Sequence, residues 1–183
     1  MTTGERFLVN GIDDLARTAG HFAWLEDAIA DVTGAWVASV DDVDARLVLG
    51  ARSHTHAWHA ELWRERMPDL RHVDRTSLVA PANSSVESFM NTLASATTTV
   101  ERCVGLYRVL LPRLVTAYAV LLRDTNELID APTVRTLRLV LEDTREESRE
   151  GEIVLRALGS ETDADAAESR LSPVIDSAGL FAG

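Results

Sequence analysis

Residues 52–63 read RSHTHAWHAELW, and this stretch decides how the rest of the chain is interpreted. It contains three of the five histidines and two of the four tryptophans of the protein. Its pattern predicts the middle of an amphipathic helix. His56 and His59 are three residues apart, so they share one face of that helix, one turn displaced. Two imidazoles in this register can bind one metal ion or line one polar pocket.

The helix around these histidines is predicted over residues 43–67, because Pro68 stops it. Its predicted buried stripe consists of Leu47, Ala51, Thr55, Trp58 and Leu62. His59 shares this face with Thr55 and Leu62. A histidine on an apolar face is usually a hydrogen-bonded core residue. The pair with His56 at this spacing favours a metal or catalytic site more than one histidine would.

A first helix is predicted before it, over residues 11–38, from apolar residues that recur every seven positions. This stripe consists of Leu15, Phe22, Ile29 and Trp36, with Leu25 and Val32 beside it. Glu26 lies at the edge of the stripe, where a carboxylate either reaches solvent or turns inward.

A long connection over residues 68–84 leads to a third helix, predicted over residues 85–123. Its periodicity is the strongest in the chain and runs through Met90, Leu93, Val100, Val104, Tyr107, Leu111, Leu114, Tyr118 and Leu121. Pro112 lies inside this helix and predicts a kink in the turn before it. Glu101 flanks the stripe, and Tyr107 and Tyr118 are predicted to be core residues, each with a hydrogen-bonded hydroxyl, rather than redox groups.

The fourth helix is predicted over residues 132–158, after a cap at Asp130. Thr144 and Glu147 point inward in the middle of this helix, while Glu146 and Glu150 are predicted to pair with Arg149 and Arg145 on the solvated face. Residues 159–183 form a C-terminal tail. Its apolar residues, Val174, Ile175, Leu180 and Phe181, predict that the tail packs on the body of the protein.

Composition limits the classes of function. The net charge of −11 argues against nucleic acid and anionic membranes as partners, because both need clustered cations. The sequence shows no signal peptide and no apolar run of 18 residues, so we expect a cytoplasmic protein with one domain over residues 1–183. The single cysteine, Cys103, fits a reducing compartment and is predicted to be buried and inert. All 18 basic residues are arginine, which is typical of a GC-rich bacterial genome.

Four helices joined by a short, a long and a short connection predict an all-α fold with up-down-down-up topology. The chain resembles the ferritin-like superfamily over most of residues 10–158. The second helix of that family commonly reads Glu-x-x-His-Ala, and residues 56–60 here read His-x-x-His-Ala. The fourth helix commonly reads Leu-x-Asp-Glu-x-x-His, where residues 141–147 here read Leu-Glu-Asp-Thr-Arg-Glu-Glu.

This resemblance implies a metal site in which several residues depart from the family pattern. His56 replaces a carboxylate, Thr144 replaces the bridging glutamate, and Glu147 replaces a histidine. Glu26 would be the ligand from helix one, while Glu101 on helix three lies off the midpoint. The carboxylate-bridged pair of irons is therefore incomplete. The four residues Glu26, His56, His59 and Glu147 would hold at most a single iron- or zinc-type ion.

Three functions follow as hypotheses. The first is a metal-free bundle that binds a small molecule or acts as a cofactor-independent enzyme, with His59 or His56 as a general base and Glu147 tuning it. The second is a metal-dependent, non-haem oxidoreductase or oxygenase in which Glu26, His56, His59 and Glu147 are ligands. The third is a non-catalytic scaffold that acts through self-association, with a homodimer formed at the end of helix three beyond Pro112.

Overall fold

The computed structural model describes residues 11–158, 161–176 and 180, and all regular secondary structure in this part of the chain is helical. The all-α prediction is therefore confirmed. The α-helices are α1 (Ile12–Trp36), α2 (Val43–Arg66), α3 (Ser84–Ala94), α4 (Thr99–Val104), α5 (Leu111–Asp124), α6 (Ala131–Leu158) and α7 (Glu161–Asp176). A 3₁₀ turn (Arg75–Leu78) lies in the long connection, and a π-helical turn (Gly105–Leu110) joins α4 to α5.

The helices α1 and α2 pack closely against each other, with a short connection between them. Asp42 caps α2, because its side chain accepts a hydrogen bond of 2.8 Å from the backbone N–H of Ala45. The predicted bounds of both helices, 11–38 and 43–67, agree with the structure to within two residues. The stripe predicted on α1 is buried at Phe22, Ile29 and Trp36.

The stripe predicted for α2 is wrong. Leu47 is 68% exposed and Trp58 is 46% exposed, so this face points to solvent. The buried face is formed instead by Ala45, Leu49, His56, His59, Ala60 and Trp63. The histidines can face inward because carboxylates from α1 and α6 receive them, and the small alanines let the neighbouring helices come close.

The third helix is not continuous over residues 85–123, which corrects the prediction. The helix α3 ends at Ala94, and a new helix begins at Thr99. Thr98 and Glu101 form a capping box: the Thr98 hydroxyl accepts from the Glu101 N–H, and the Glu101 carboxylate accepts from the Thr98 N–H. Hydrogen bonds of this kind stabilise the first turn of a new helix. The helix is therefore interrupted before Thr99, even though the apolar periodicity continues across the interruption.

The segment Thr99–Asp124 is helical throughout and passes Pro112 without a break. The turn before the proline, where a kink was predicted, is π-helical. A proline cannot donate the backbone hydrogen bond of a regular helix and clashes with the preceding turn, and a wider turn accommodates it. This is a helix long and apolar enough to cross a membrane, but most of its apolar window is buried in the structure, as in the core helix of a water-soluble protein.

The remaining helices close the core. The predicted helix over residues 132–158 is present as α6, and Asp130 caps it with a bond to the N–H of Thr133. The helix α7 packs on α3, α4 and the π turn and buries Leu171 and Ile175, so the predicted docking of the tail is confirmed there. Phe181 lies outside the described residues.

The π turn approaches α6 so closely that only glycine fits at position 151. A Cβ atom there would lie 2.1 Å from Cγ of Tyr107. We expect Gly151→Ala to lower the free energy of unfolding by about 1–3 kcal/mol, because the buried ring has to move. Urea denaturation measures the change.

The matched control is Gly50→Ala on α2, where a Cβ atom would be 3.6 Å from a Val37 methyl group, an ordinary contact. This variant should be unchanged or stabilised by up to about 1 kcal/mol, because alanine is the better helix former. Equal stability of the two variants would contradict the account of the packing.

Candidate metal centre

Four predicted site residues meet in the core of the protein. Glu26 comes from α1, His56 and His59 from α2, and Glu147 from α6. None of the four is more than 1% exposed. The ligand atoms of Glu26, His56 and His59 all lie within 4.8 Å of one another. Of the four predicted metal ligands, Glu26, His56 and His59 therefore form one buried group, and Glu147 contacts His56 but lies outside this group.

The Glu26 carboxylate is the centre of the cluster. Its Oε2 forms a short hydrogen bond with Nδ1 of His56, and its Oε1 accepts a short hydrogen bond from the hydroxyl of Tyr118. Nδ1 of His59 lies 3.6 Å from the same Oε1. One carboxylate thus serves residues from two neighbouring helices, α2 and α5.

Glu147 closes the other side of His56. Its Oε2 lies 3.0 Å from Nε2 of His56, within ion-pair distance. The direction is unfavourable, however, and this nitrogen makes no well-aligned hydrogen bond. Oε1 of Glu147 is also buried without a hydrogen-bond partner. Oε1 of Glu147 is therefore available to a further ligand, whereas Nε2 of His56 faces Oε2 of the same carboxylate.

His59 connects the cluster to the surface. Its Nε2 lies 3.1 Å from Oδ2 of Asp143, a carboxylate that is partly exposed. If Nε2 carries the proton and donates it to Asp143, Nδ1 presents its lone pair to the interior of the cluster. Nδ1 is buried and has no hydrogen-bond partner. This is the orientation in which a histidine can accept a metal ion while a carboxylate holds its ring.

The electrostatics favour charged side chains despite the burial. Burial by itself raises the pKa of Glu26, but the adjacent His56 and His59 lower this pKa well below its usual value. Burial likewise lowers the pKa of His56, but Glu147 and Glu26 outweigh it and raise the pKa to about 10. Burial also lowers the pKa of His59, which Glu26 and Asp143 raise above its ordinary value. Without a metal ion, the positive charge of the protonated imidazoles balances the negative charge of the carboxylates.

The hydroxyl of Tyr118 belongs to the cluster. The sequence predicts a core tyrosine with a hydrogen-bonded hydroxyl here, but it does not identify Glu26 as the acceptor. The same prediction is wrong for Tyr107, whose buried hydroxyl makes no hydrogen bond. Nε1–H of Trp63 donates to the same hydroxyl over 3.2 Å, and the ring of Phe22 lies against both aromatic rings. Burial, and then the charge of Glu26, raise the pKa of Tyr118, so the phenol keeps its proton at neutral pH.

Glu101 and Thr144 do not contribute to the cluster. Glu101 caps α4 and pairs with Arg170. The Thr144 hydroxyl is buried but donates to the carbonyl of Val140, one turn earlier in its own helix. No bridging carboxylate is therefore present at that position. Cys103 is buried, and burial raises the pKa of its thiol to about 12, as expected for an inert cysteine.

The available ligand atoms fit one metal ion better than two. Two imidazoles and the Glu26 carboxylate make a nitrogen and oxygen set suited to iron or zinc. Within this group, Nδ1 of His59 is buried without a hydrogen bond. Such atoms are uncommon in protein interiors and need an explanation, and a bound cation supplies one for this nitrogen.

No family model, curated protein or solved structure matches the chain.

Removal of the Tyr118 hydroxyl tests the network around Glu26. We expect Tyr118→Phe to lower the free energy of unfolding by about 1–3 kcal/mol, because a buried carboxylate loses a donor and the Trp63 N–H loses its acceptor. Tyr107→Phe is the matched control, since the Tyr107 hydroxyl is buried without a hydrogen bond. The control should change stability little, and a larger loss in the control than in Tyr118→Phe would contradict the network.

The stability of the metal-free protein should depend on pH in a defined direction. The pKa of His56 is raised from 6.5 to about 10, so its contribution is complete below pH 6.5 and disappears as the pH rises toward 10. The lowered pKa of Glu26 gives a contribution that is complete above pH 4.5 and is lost in acid. Urea denaturation in chelator should therefore show stability falling between pH 6.5 and 9. A flat profile, or the same slope in His56→Gln, would show that this assignment is wrong.

Proposed function

We propose that this protein is a ferritin-like bundle that holds one divalent transition-metal ion and acts as a metal-dependent oxidoreductase on a small organic substrate. The ligands are Glu26, His56 and His59, while Glu147 lies on the other side of the His56 ring and balances its charge. One observation supports the proposal above the others: the ligand atoms of Glu26, His56 and His59 lie within 4.8 Å of one another, and Nδ1 of His59 is buried among them without a hydrogen bond. Two histidines and one carboxylate form the ligand set typical of non-haem iron(II) oxygenases.

The arrangement of the helices supports the bundle topology. The helices α1 and α2 form one closely packed pair, and α5 and α6 form another, each with a short connection. The long connection with the 3₁₀ turn and α3 lies between the pairs. This order fits the up-down-down-up topology with one long crossover.

Each neighbour of the ligands has a defined task in this proposal. Asp143 accepts the Nε2–H of His59 and so keeps the Nδ1 lone pair directed at the ion. Tyr118 donates to Oε1 of Glu26, which leaves Oε2 on the side of His56. When bound, an iron(II) ion would supply the electrons for chemistry with dioxygen. The surrounding helices exclude bulk water from the cluster.

A metal-free function is the second candidate, and the balance of charge favours it. Two protonated histidines neutralise Glu26 and Glu147, so the cluster is stable as a network without an ion. His56 or His59, together with Glu147, would then act as a general base or a hydrogen-bond donor toward a small molecule. Alternatively, these residues would only stabilise the helices of a non-catalytic scaffold. The cavities described at Ser148, Asp165, Thr97 and Thr76 are lined by residues outside the cluster.

A homodimer and a cytoplasmic location stay predictions. The dimer was predicted from apolar residues beyond Pro112, and Leu114, Tyr118 and Leu121 there are buried within the chain. The exposed apolar residues lie elsewhere, for example at Leu47 and Trp58 on α2.

Metal content tests the proposed function. Protein purified without chelator, and again after anaerobic iron(II) loading, should contain one equivalent of metal by elemental mass spectrometry. His59→Gln and Glu26→Gln should each lose most of this metal, because each removes a ligand. Circular dichroism would confirm that the variants remain folded.

His54→Gln is the matched control, since His54 lies on the same helix but is exposed to solvent. This variant should keep its full equivalent of metal. Wild-type protein without metal in both preparations would exclude the oxidoreductase and leave the metal-free network. Equal loss in His54→Gln would place the metal outside the core.

A further inference from the structure

The proposed ligands are closed to solvent, so a metal ion reaches them only when neighbouring side chains move. Glu26, His56 and His59 are each at most 1% exposed. Tyr118, which donates to Glu26, and Glu147, which lies beside His56, are buried to the same degree. Access on these two sides would therefore require the core to open.

His59 differs from the other ligands, because its neighbours reach the surface. Its Nε2 lies 3.1 Å from Oδ2 of Asp143, whose side chain is 35% exposed. The indole ring of Trp58 is also close to the imidazole, with 5.7 Å between the ring centroids, and Trp58 is 46% exposed. Two partly exposed side chains thus adjoin this buried imidazole, and one of them carries a negative charge.

The interface between α2 and α6 is held together by arginines on either side of His59. Arg52, seven residues before His59 on α2, pairs with Glu150 of α6. Arg66, seven residues after His59, donates a hydrogen bond of 3.2 Å to Thr133 at the start of α6. An opening at His59 therefore breaks the contact with Asp143 and leaves both arginine contacts in place.

The charges along this interface favour one approach for a cation. Asp143 presents a carboxylate at the outer end of the His59 contact. An approach to the cluster by way of Glu147 is less favourable, because the guanidinium of Arg52 is close enough for its charge to interact with Glu147. A divalent cation is attracted by the first group and repelled by the second.

We propose that a divalent metal ion enters the protein between α2 and α6, where Asp143 receives it and His59 transfers it to Glu26. This inference rests on the proposed function, because it concerns the same site. A cation on the Asp143 carboxylate competes with the imidazole N–H for Oδ2, so the ring of His59 is released and can turn. Nδ1 of His59, which is buried without a hydrogen bond, then holds the ion inside the cluster.

Stopped-flow mixing of cobalt(II) with the metal-free full chain tests the role of Asp143, with entry followed through the visible bands of the bound ion. Asp143→Asn should slow entry at least about threefold in about 0.1 M salt, because the amide still offers His59 an acceptor but has no charge. Glu65→Gln is the control, since it makes the same change in net charge at an exposed position on α2, about 9 Å along the helix from His59. This control should keep the wild-type rate.

Replacement of Trp58 tests the route with the opposite sign. Trp58→Ala removes a large side chain beside His59 without removing a ligand, so cobalt(II) should enter severalfold faster and leave severalfold faster when excess chelator is added. The affinity should not change, because both rates rise together. Leu47→Ala is the control, because Leu47 is an exposed apolar residue of the same helix, three turns away from Trp58. It should keep both wild-type rates.

Equal entry rates of Asp143→Asn and Glu65→Gln, or equal rates of Trp58→Ala and Leu47→Ala, would overturn the entry route. Faster release from Asp143→Asn without slower entry would overturn it too, since Asp143 would then only hold the His59 ring. These outcomes differ from a failure of the proposed function. In that case the wild type itself would show no saturable cobalt(II) bands, and both proposals would be wrong.

Discussion

The buried carboxylate of Glu26 constrains the packing of the two helices that supply its partners, α2 and α5. An unpaired carboxylate in a protein interior costs several kcal/mol, so its neighbours must supply positive charge and hydrogen-bond donors. The helix α2 does so with His56 and His59, and α5 does so with Tyr118. This requirement turns α2 so that its histidines face inward and Leu47 and Trp58 face solvent. Polar pairing, rather than apolar periodicity, fixes the rotation of this helix.

The same constraint explains how much of the structure is predictable from the sequence. The helices α1 and α6 carry apolar stripes that agree with their buried faces, so their bounds and the inward position of Glu147 follow from periodicity. The buried face of α2 does not follow from periodicity, although its bounds do. The helix has few apolar residues, and the burial of its two histidines depends on partners that are distant in sequence. The break before Thr99 is caused by a capping box formed by Thr98 and Glu101, which the residue types at these two positions are able to indicate. The apolar pattern continues across the break, and for this reason it predicts one continuous helix.

Tyr118 shows why the complete site is harder to predict than its histidines. A tyrosine in an apolar stripe packs in the core in most proteins, and the residue does pack against Phe22 and Trp63. Only the three-dimensional structure places its hydroxyl on Glu26. Asp143 is similar, since a half-buried acid on a highly charged helix gives no sign in the sequence that it contacts His59. Polar partners across helices are set by tertiary packing, which one sequence does not reveal.

Cobalt(II) titration followed by optical absorption is the most direct test of the central claim, that the cluster is a metal centre. Cobalt(II) occupies sites with nitrogen and oxygen ligands and reports coordination by protein ligands through its visible bands. We expect saturation at one equivalent per chain, with bands that are absent when His56 is replaced by glutamine. A spectrum that stays that of the hydrated ion, without saturation in the folded wild-type protein, would contradict it. The buried histidines and glutamates would then be a charge network that holds the helices together.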